Sequence, residues 1–506
     1  MRLIQILPLV ALTALVVPVH AQDRGPQVAE ERPVPEAGPE GILGLLPANA
    51  VSEHVLQTEE GPLPYTATAG TLELRGQDGK VTAKIFYTAY RANDRAADRP
   101  ITFAFNGGPG AASAYLHLGL VGPKILPFEG ANSDGSHPAL KDNPQSWLAF
   151  TDLVLIDPVG TGWSRGINEE AAGRFYGVQQ DAESMAKTIA LYVQENDLIA
   201  APKYLLGESY GGFRAAKVAV ALKNSQNMIL SGIIMVSPLL EGRFIFGADD
   251  DPLSAALQLP SLAAAHLERQ GRFDPQAMAD IERYAISEYL PKLALPPAPG
   301  RDADAFFGRI ADLTGLPPER VARTRGFVGG VYAKEAGGPG NILSPYDAGH
   351  ALPDAYPEAA YGQNDDPVLE GFTRAYGSAF ASYASSELGF RTQMTYSLLN
   401  EDVNRRWEWN GGRGAGTRVT ASISNDLRDL LSVIPSFRLM VAHGYSDILT
   451  PYGMSRYVLD HLPPALSKDR ASLKVYRGGH MFYTRDAERA AMYGDAKAFY
   501  QSSPSD

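Results

Sequence analysis

Tyr204-Leu205-Leu206-Gly207-Glu208-Ser209-Tyr210-Gly211-Gly212-Phe213-Arg214-Ala215-Ala216 joins a short apolar run to an alanine-rich one through a Gly-x-Ser-x-Gly. Such a stretch reads as a strand that turns sharply into a helix and holds its serine on the corner with Oγ exposed. The flanking glycines follow from the sharpness of the turn, since a Cβ there would strike neighbouring backbone. Ser209 is therefore the candidate nucleophile of a serine hydrolase. A glycine-rich turn with a spectator serine is the competing reading, and the rest of the chain decides between them.

Outward from this corner the chain alternates strands with helices. Residues 101–105, 153–156, 204–206, 229–236, 437–442 and 473–476 are short apolar runs, the kind buried on both faces of a parallel sheet. Before the corner, Val178, Ala182, Met185, Ile189 and Tyr192 recur at three- and four-residue intervals and predict a helix with one apolar stripe. Residues 71–74 and 81–90 flank Asp78-Gly79 and predict a hairpin. The expected fold class is α/β, a mostly parallel sheet with helices on both faces. The rhythm breaks over 239–424, where helical pieces, proline clusters and glycine-rich loops replace strands. That segment is expected to be a largely helical cap insertion, with 49–238 and 425–506 forming the catalytic core.

The first residues carry Arg2, then an apolar run over 3–19, then Ala21 before a polar stretch, which is the order of a signal peptide over 1–21. The run is short for a bilayer span and is broken by Pro8 and Pro18, so cleavage after Ala21 is expected, with no membrane anchor left behind. Residues 22–48 are rich in Pro, Glu and Gly and read as a flexible tail. The expected location is outside the cytoplasm, periplasmic or secreted. The 506 residues include no cysteine, which excludes disulfides and thiol chemistry. A formal net charge of -12 argues against nucleic acid or anionic lipid as a partner. Asp249-Asp250-Asp251 reads as a solvated loop, and the expected chemistry uses no metal and no cofactor.

A serine needs a base to take its proton, and the base needs an acid to fix its tautomer. In the order nucleophile, acid, histidine, both partners lie downstream at later strand ends. Asp447 follows the run 437–442, and His480 follows 473–476 between Gly478-Gly479 and Met481. His443 also sits at a strand end, but as base it would leave no acid followed by a histidine, so it reads as a packing residue. The developing oxyanion needs two backbone donors. One is the N–H of Tyr210; the other is expected from Asn106-Gly107-Gly108-Pro109-Gly110, directly after the run 101–105. That loop lacks the lysine of a phosphate-binding motif.

Asn106-Gly107-Gly108-Pro109-Gly110, Asp157-Pro158-Val159-Gly160-Thr161-Gly162-Trp163-Ser164, Gly207-Glu208-Ser209-Tyr210-Gly211-Gly212, Asp447 and Gly479-His480-Met481 together, in this order, resemble the serine carboxypeptidases of the α/β-hydrolase fold, with the character of an exported bacterial-type member. The resemblance implies Ser209 as nucleophile, His480 as base and Asp447 as its acid, with Gly108 and Tyr210 as oxyanion donors. It further implies that Asn106, Gly107 and Glu208 hold the free C-terminal carboxylate of a peptide. A carboxyl binding a carboxylate works only when a proton is shared, because like charges in contact cannot both stay ionised. Two departures stand out. Ala111-Ala112-Ser113 replaces the family's Cys-Ser-Ser, and Leu118-Gly119-Leu120-Val121 has no acid where the family places a second glutamate before a Gly-Pro. The expected substrate is a peptide or a small acyl compound, and an esterase or acyltransferase on the same triad is the alternative.

Overall fold

Asp78-Gly79 makes the predicted turn, with Gly79 at φ 76° and its N–H donated to Gly76, and two long strands run away from it. These are β2 (Gly61–Arg75) and β3 (Val81–Ala92), and a strand not foreseen from the pattern, β1 (Ala50–Thr58), pairs antiparallel outside β2. The computed structural model describes residues 41–93, 96, 98–128, 135–247, 249–296, 300–360, 362, 366–410 and 416–501. The expected leader 1–21 and residues 22–40 of the expected tail lie outside the described residues. The tail does not run to residue 48 as expected: Gly41–Leu45 forms a 3-10 turn, and Leu43 and Leu46 are buried in the core, so these apolar side chains fix the chain before β1.

The parallel part of the sheet is β4 (Ile101–Phe105), β5 (Asp152–Ile156), β6 (Lys203–Glu208), β7 (Gly232–Val236), β8 (Arg438–Gly444) and β9 (Ala471–Tyr476). The spatial order is β1-β2-β3-β5-β4-β6-β7-β8-β9, parallel from β5 onward, with the two-residue strand Arg165–Gly166 paired to β3. Alternate residues feed opposite cores, as strand geometry requires. Phe103, Leu205, Ile233, Met235, Leu439 and Val441 face one hydrophobic cluster, while Ala104, Leu206, Ile234, Val236, Met440 and Ala442 face the other. The first cluster is closed by α1 (Val178–Glu195), whose predicted stripe is buried, and by α2 (Tyr210–Ser225). The chain goes from β4 to β5 on one side and then crosses to β6 on the other. The loops after β4 and β6 therefore flank the point where strand order reverses, which is where an open α/β sheet leaves a crevice.

The insertion is not one cap. Helix α3 (Pro252–Arg269) buries Leu259, Leu262 and Ala263 against Met278, Ile281, Tyr289, Phe306, Ile310 and Tyr332, a third core contained within 256–348. The later part returns to the sheet. Helix α4 (Pro367–Ser386) places Tyr376, Phe380 and Tyr383, spaced four and three residues apart, in the second cluster with Phe86 and Tyr90. The expected boundary at 424 is thus corrected for 367–410: an aromatic helix face that fits the sheet belongs to the core layer. Opposite the strand ends, α5 (Asp486–Gln501) packs Met492, Ala496 and Phe499 on the same cluster.

Candidate active site

Every residue of β6 is buried, and Ser209, the next one, is half-buried at φ 60° and ψ -127°. A non-glycine residue held at positive φ marks a strained corner, sustained here because the backbone around it is fixed. Ser209 donates its N–H to Val236 at 2.9 Å, and its carbonyl accepts from Gly212 and Leu239. A Cβ on Gly107 would lie 2.6 Å from the backbone N of Tyr210, so the loop after β4 rests directly on the corner. Only glycine permits that approach, and it brings Gly108 and Tyr210, the two expected oxyanion donors, to one cavity with Ser209.

The loop after β4 is held from both ends. Arg214, buried in α2, donates Nε to Asp181 of α1 at 2.6 Å and Nη1 to the carbonyl of Asn106. Burial keeps the Asp181 carboxyl above its usual range in spite of that guanidinium. Beyond Gly110, the N–H and Oγ of Ser113 donate to buried Asp157 at 2.8 and 2.7 Å, while Ala112 donates to Leu398 and Asn400 to Gly110. The segment that lacks the family's cysteine is therefore stitched by hydrogen bonds to the chain returning from the insertion.

Asp447 and His480 meet as the sequence order suggested. His480 Nδ1 lies 2.9 Å from Asp447 Oδ2, and both residues are buried. Asp447 Oδ1 accepts from the N–H groups of Leu449 and Thr450, and Thr450 Oγ1 donates to Oδ2 at 2.7 Å. Such a cage fixes the carboxylate and with it the imidazole tautomer, leaving Nε2 for proton transfer. Burial alone would lower the His480 pKa; the charge and hydrogen bond of Asp447, and then the charge of Glu208, outweigh it and hold His480 above its usual range. Tyr346 packs edge-on at 5.3 Å, and its carbonyl accepts the His480 N–H. His443 is elsewhere: it is fully buried, its Nε2 is 2.7 Å from Ser455 Oγ, and burial pushes it down to about 4.

Glu208 is buried beside Ser209. Tyr483 Oη reaches its two carboxyl oxygens at 2.8 and 3.0 Å, and Asn106 Nδ2 donates to Oε2. Burial pushes its carboxyl up to about 7, against the opposing pull of His480 and of those hydrogen bonds. The absent acid at 118–121 has a steric counterpart. Leu118, Leu120 and Val121 are fully buried, and a Cβ on Gly119 would lie 2.6 Å from the Tyr483 ring and 2.7 Å from Tyr376 Oη. Tyr376 and Tyr483 therefore leave no room for a side chain at Gly119.

Asn106, Gly107, Gly108, Glu208, Ser209, Tyr210 and His480 thus line one cavity of roughly 200 Å³, with Asp447 behind the histidine. Sequence reasoning missed Tyr483, Thr450, Tyr346 and the Arg214–Asp181 pair. Thr450 and Tyr483 follow Asp447 and His480 by three residues each, and that nearness was the one signal available. The other contacts are tertiary. Among the described residues no group of three or more His, Asp or Glu is placed to hold a metal ion, and no helix is long and apolar enough to cross a membrane.

Comparison with known proteins bears on the part of the chain that carries Asn106 and Ser209. Residues 59–244 match the family model described as serine carboxypeptidase. Serine carboxypeptidase-like 8 of Arabidopsis thaliana is 30% identical over 155 residues, covering 30% of this chain and 34% of that protein. The pheromone-processing carboxypeptidase KEX1 of Cryptococcus gattii is 29% identical over 190 residues, covering 36% and 26%. The chain therefore spans about a third of the length of the curated relatives it matches, 34% of the first. Among solved structures, KEX1(delta)p, a prohormone-processing carboxypeptidase from Saccharomyces cerevisiae, superposes with a TM-score of 0.52 at 17% identity, covering 86% of this chain and 91% of that one. That likeness establishes the α/β-hydrolase fold.

Proposed function

We propose that this chain, which belongs to the serine carboxypeptidase family, removes C-terminal residues from peptides through an acyl-enzyme on Ser209. Oγ attacks the scissile carbonyl while His480 Nε2 takes its proton, and the N–H groups of Gly108 and Tyr210 receive the oxyanion. His480 then returns the proton to the leaving amine, and a water repeats the sequence to free the acyl group and regenerate Ser209. Asp447 and Thr450 hold the imidazole throughout.

The observation that carries the peptidase reading is Glu208, buried one residue before the nucleophile and bonded by Asn106 and Tyr483 within the same cavity. A carboxyl raised to about 7 keeps its proton in mild acid. It can then donate to a substrate carboxylate, with Asn106 and the Gly107 N–H adding neutral donors. The test compares one peptide with a free C-terminus against its amidated form. Strong preference for the free form is expected, and equal rates would remove carboxylate recognition from the reading.

The empty acid position at 118–121 favours a second reading, an esterase or acyltransferase on the same triad. Short acyl esters turned over far faster than any free peptide would select it. Export rests on the leader-like residues 1–21, and an N-terminus beginning at Gln22 in the mature protein is the expected result.

A further inference from the structure

Glu208 and Tyr210 flank the nucleophile, and their side chains enter opposite cores, so the cavity has two walls of different chemistry. Glu208 meets Tyr483, a member of the cluster that holds Tyr115 and Tyr376. Tyr210 belongs to the other cluster, where it packs edge-on to Trp407 at 5.3 Å and Trp409 at 5.5 Å. Trp409 lies 6.2 Å from Phe246, and the guanidinium of Arg418 sits 5.3 Å above the Phe246 ring.

Arg418 opens a 3-10 turn, Arg418–Thr420, and lines the cavity together with Phe246 and Trp409. It is exposed, and among the described residues its guanidinium has no hydrogen bond and no ion pair. Among the described residues it is also the one cation of the cavity lining apart from His480. The other described wall residues on this side, Leu239, Ile245, Phe246 and Trp409, are uncharged, and Glu208, the one carboxylate among the described lining residues, is engaged by Asn106 and Tyr483. Stacking on an aromatic ring fixes the plane of a guanidinium and leaves its in-plane N–H groups free to meet a carboxylate.

We infer that Arg418 selects peptides carrying aspartate or glutamate on the acyl side of the scissile bond. The inference rests on reading Asn106, Gly107 and Glu208 as the clamp for the terminal carboxylate: with the leaving residue seated there, the Tyr210 wall takes the side chain on the acyl side. A lysine at that position meets a like charge, and glutamine loses the charge-assisted bond.

The experiment uses two series on the full-length protein. The first is N-blocked dipeptides with Glu, Gln or Lys before a common C-terminal Leu. The second is the N-blocked methyl esters of the same three residues, which have no terminal carboxylate. Each series should favour Glu over Gln by about tenfold in kcat/KM, the scale of one charge-assisted hydrogen bond. That preference should vanish in Arg418→Ala and turn toward Lys in Arg418→Glu. Equal rates for Glu and Gln in wild-type protein, or a Glu preference unchanged in Arg418→Ala, would overturn the inference. A Glu preference in the esters, alongside equal rates for free and amidated peptides, would remove the carboxylate clamp and still support Arg418.

Discussion

At the residue scale two titrating groups set opposite demands on one cavity. In the proposed mechanism His480 must be neutral to take the Ser209 proton, and its pKa is held above the usual range, so turnover should rise with pH through that value. In the same proposal Glu208 must keep its proton to meet a substrate carboxylate, and that proton leaves near pH 7. Peptides with a free C-terminus should therefore give a bell-shaped pH profile of kcat/KM, whereas simple esters should show the rising limb alone. Tyr483→Phe removes a bond that favours the ionised form, so the falling limb should move to higher pH. The same shift has a stability consequence. The folded pKa of Glu208 exceeds the unfolded value, so folding is unpenalised below about pH 4.5, and destabilisation accumulates up to about pH 7 and persists above it. Glu208→Gln removes this dependence. Its unfolding free energy relative to wild type should rise between pH 5 and pH 8, by an amount on the order of 3 kcal/mol; a pH-independent difference would show that the carboxyl is not desolvated. Glu208, Ser209 and His480 were all legible from residue type and order. Tyr483 was not, because a phenol near a histidine announces no role until a buried carboxyl is seen across from it.

At the scale of elements, the site is assembled from loops that helices clamp in place. α2 carries both the corner and Arg214, and that one side chain reaches Asp181 on α1 and the Asn106 carbonyl of the loop after β4. Arg214→Ala leaves a buried carboxylate and a buried carbonyl without their partner. Loss of about 3–5 kcal/mol is expected in urea denaturation, the scale of a broken buried pair. Arg214→Met with Asp181→Leu should recover most of the stability without restoring kcat, since the loop would still lack its anchor. Recovery of kcat as well would show that the pair is structural only. The inner strands of the parallel sheet stood out in the sequence because both faces are buried and their apolar runs are continuous, whereas β9, expected to be buried on both faces over 473–476, is an edge strand that buries only Tyr476. β1 did not, because as an edge strand it leaves Val51 and Val55 exposed and mixes polar residues throughout.

Across the whole molecule, the helical unit with its own core is tied to the histidine loop by charge. Glu268, near the end of α3, accepts from Arg477 Nε at 2.9 and 3.0 Å and from Arg485 Nη1 at 2.8 Å, and those arginines bracket His480. Arg485 also reaches Asp347, which accepts from Ser446 beside Asp447. Partial burial pushes the Glu268 carboxyl up, but the hydrogen bonds from Arg477 and Arg485 outweigh it and its pKa is lowered overall. A depressed carboxyl stabilises above its unfolded pKa and loses that contribution as pH falls through the folded value, so this tether weakens in acid. Glu268→Gln should raise amide hydrogen exchange in α3 and in the 477–485 loop at neutral pH, with little further change on acidification; unchanged exchange would mean that apolar packing alone seats the unit. The sequence by itself determined the sheet, the strained corner and the placing of Ser209, Asp447 and His480 at strand ends, because periodicity and strand-end position are local properties of the chain. Only the tertiary structure decided that α4 belongs to the core, that Tyr376 and Tyr483 crowd Gly119, and that Arg418 faces the cavity with no ion pair among the described residues. Each depends on which side chains meet across hundreds of residues, and packing and desolvation act on that meeting rather than on the residues taken singly.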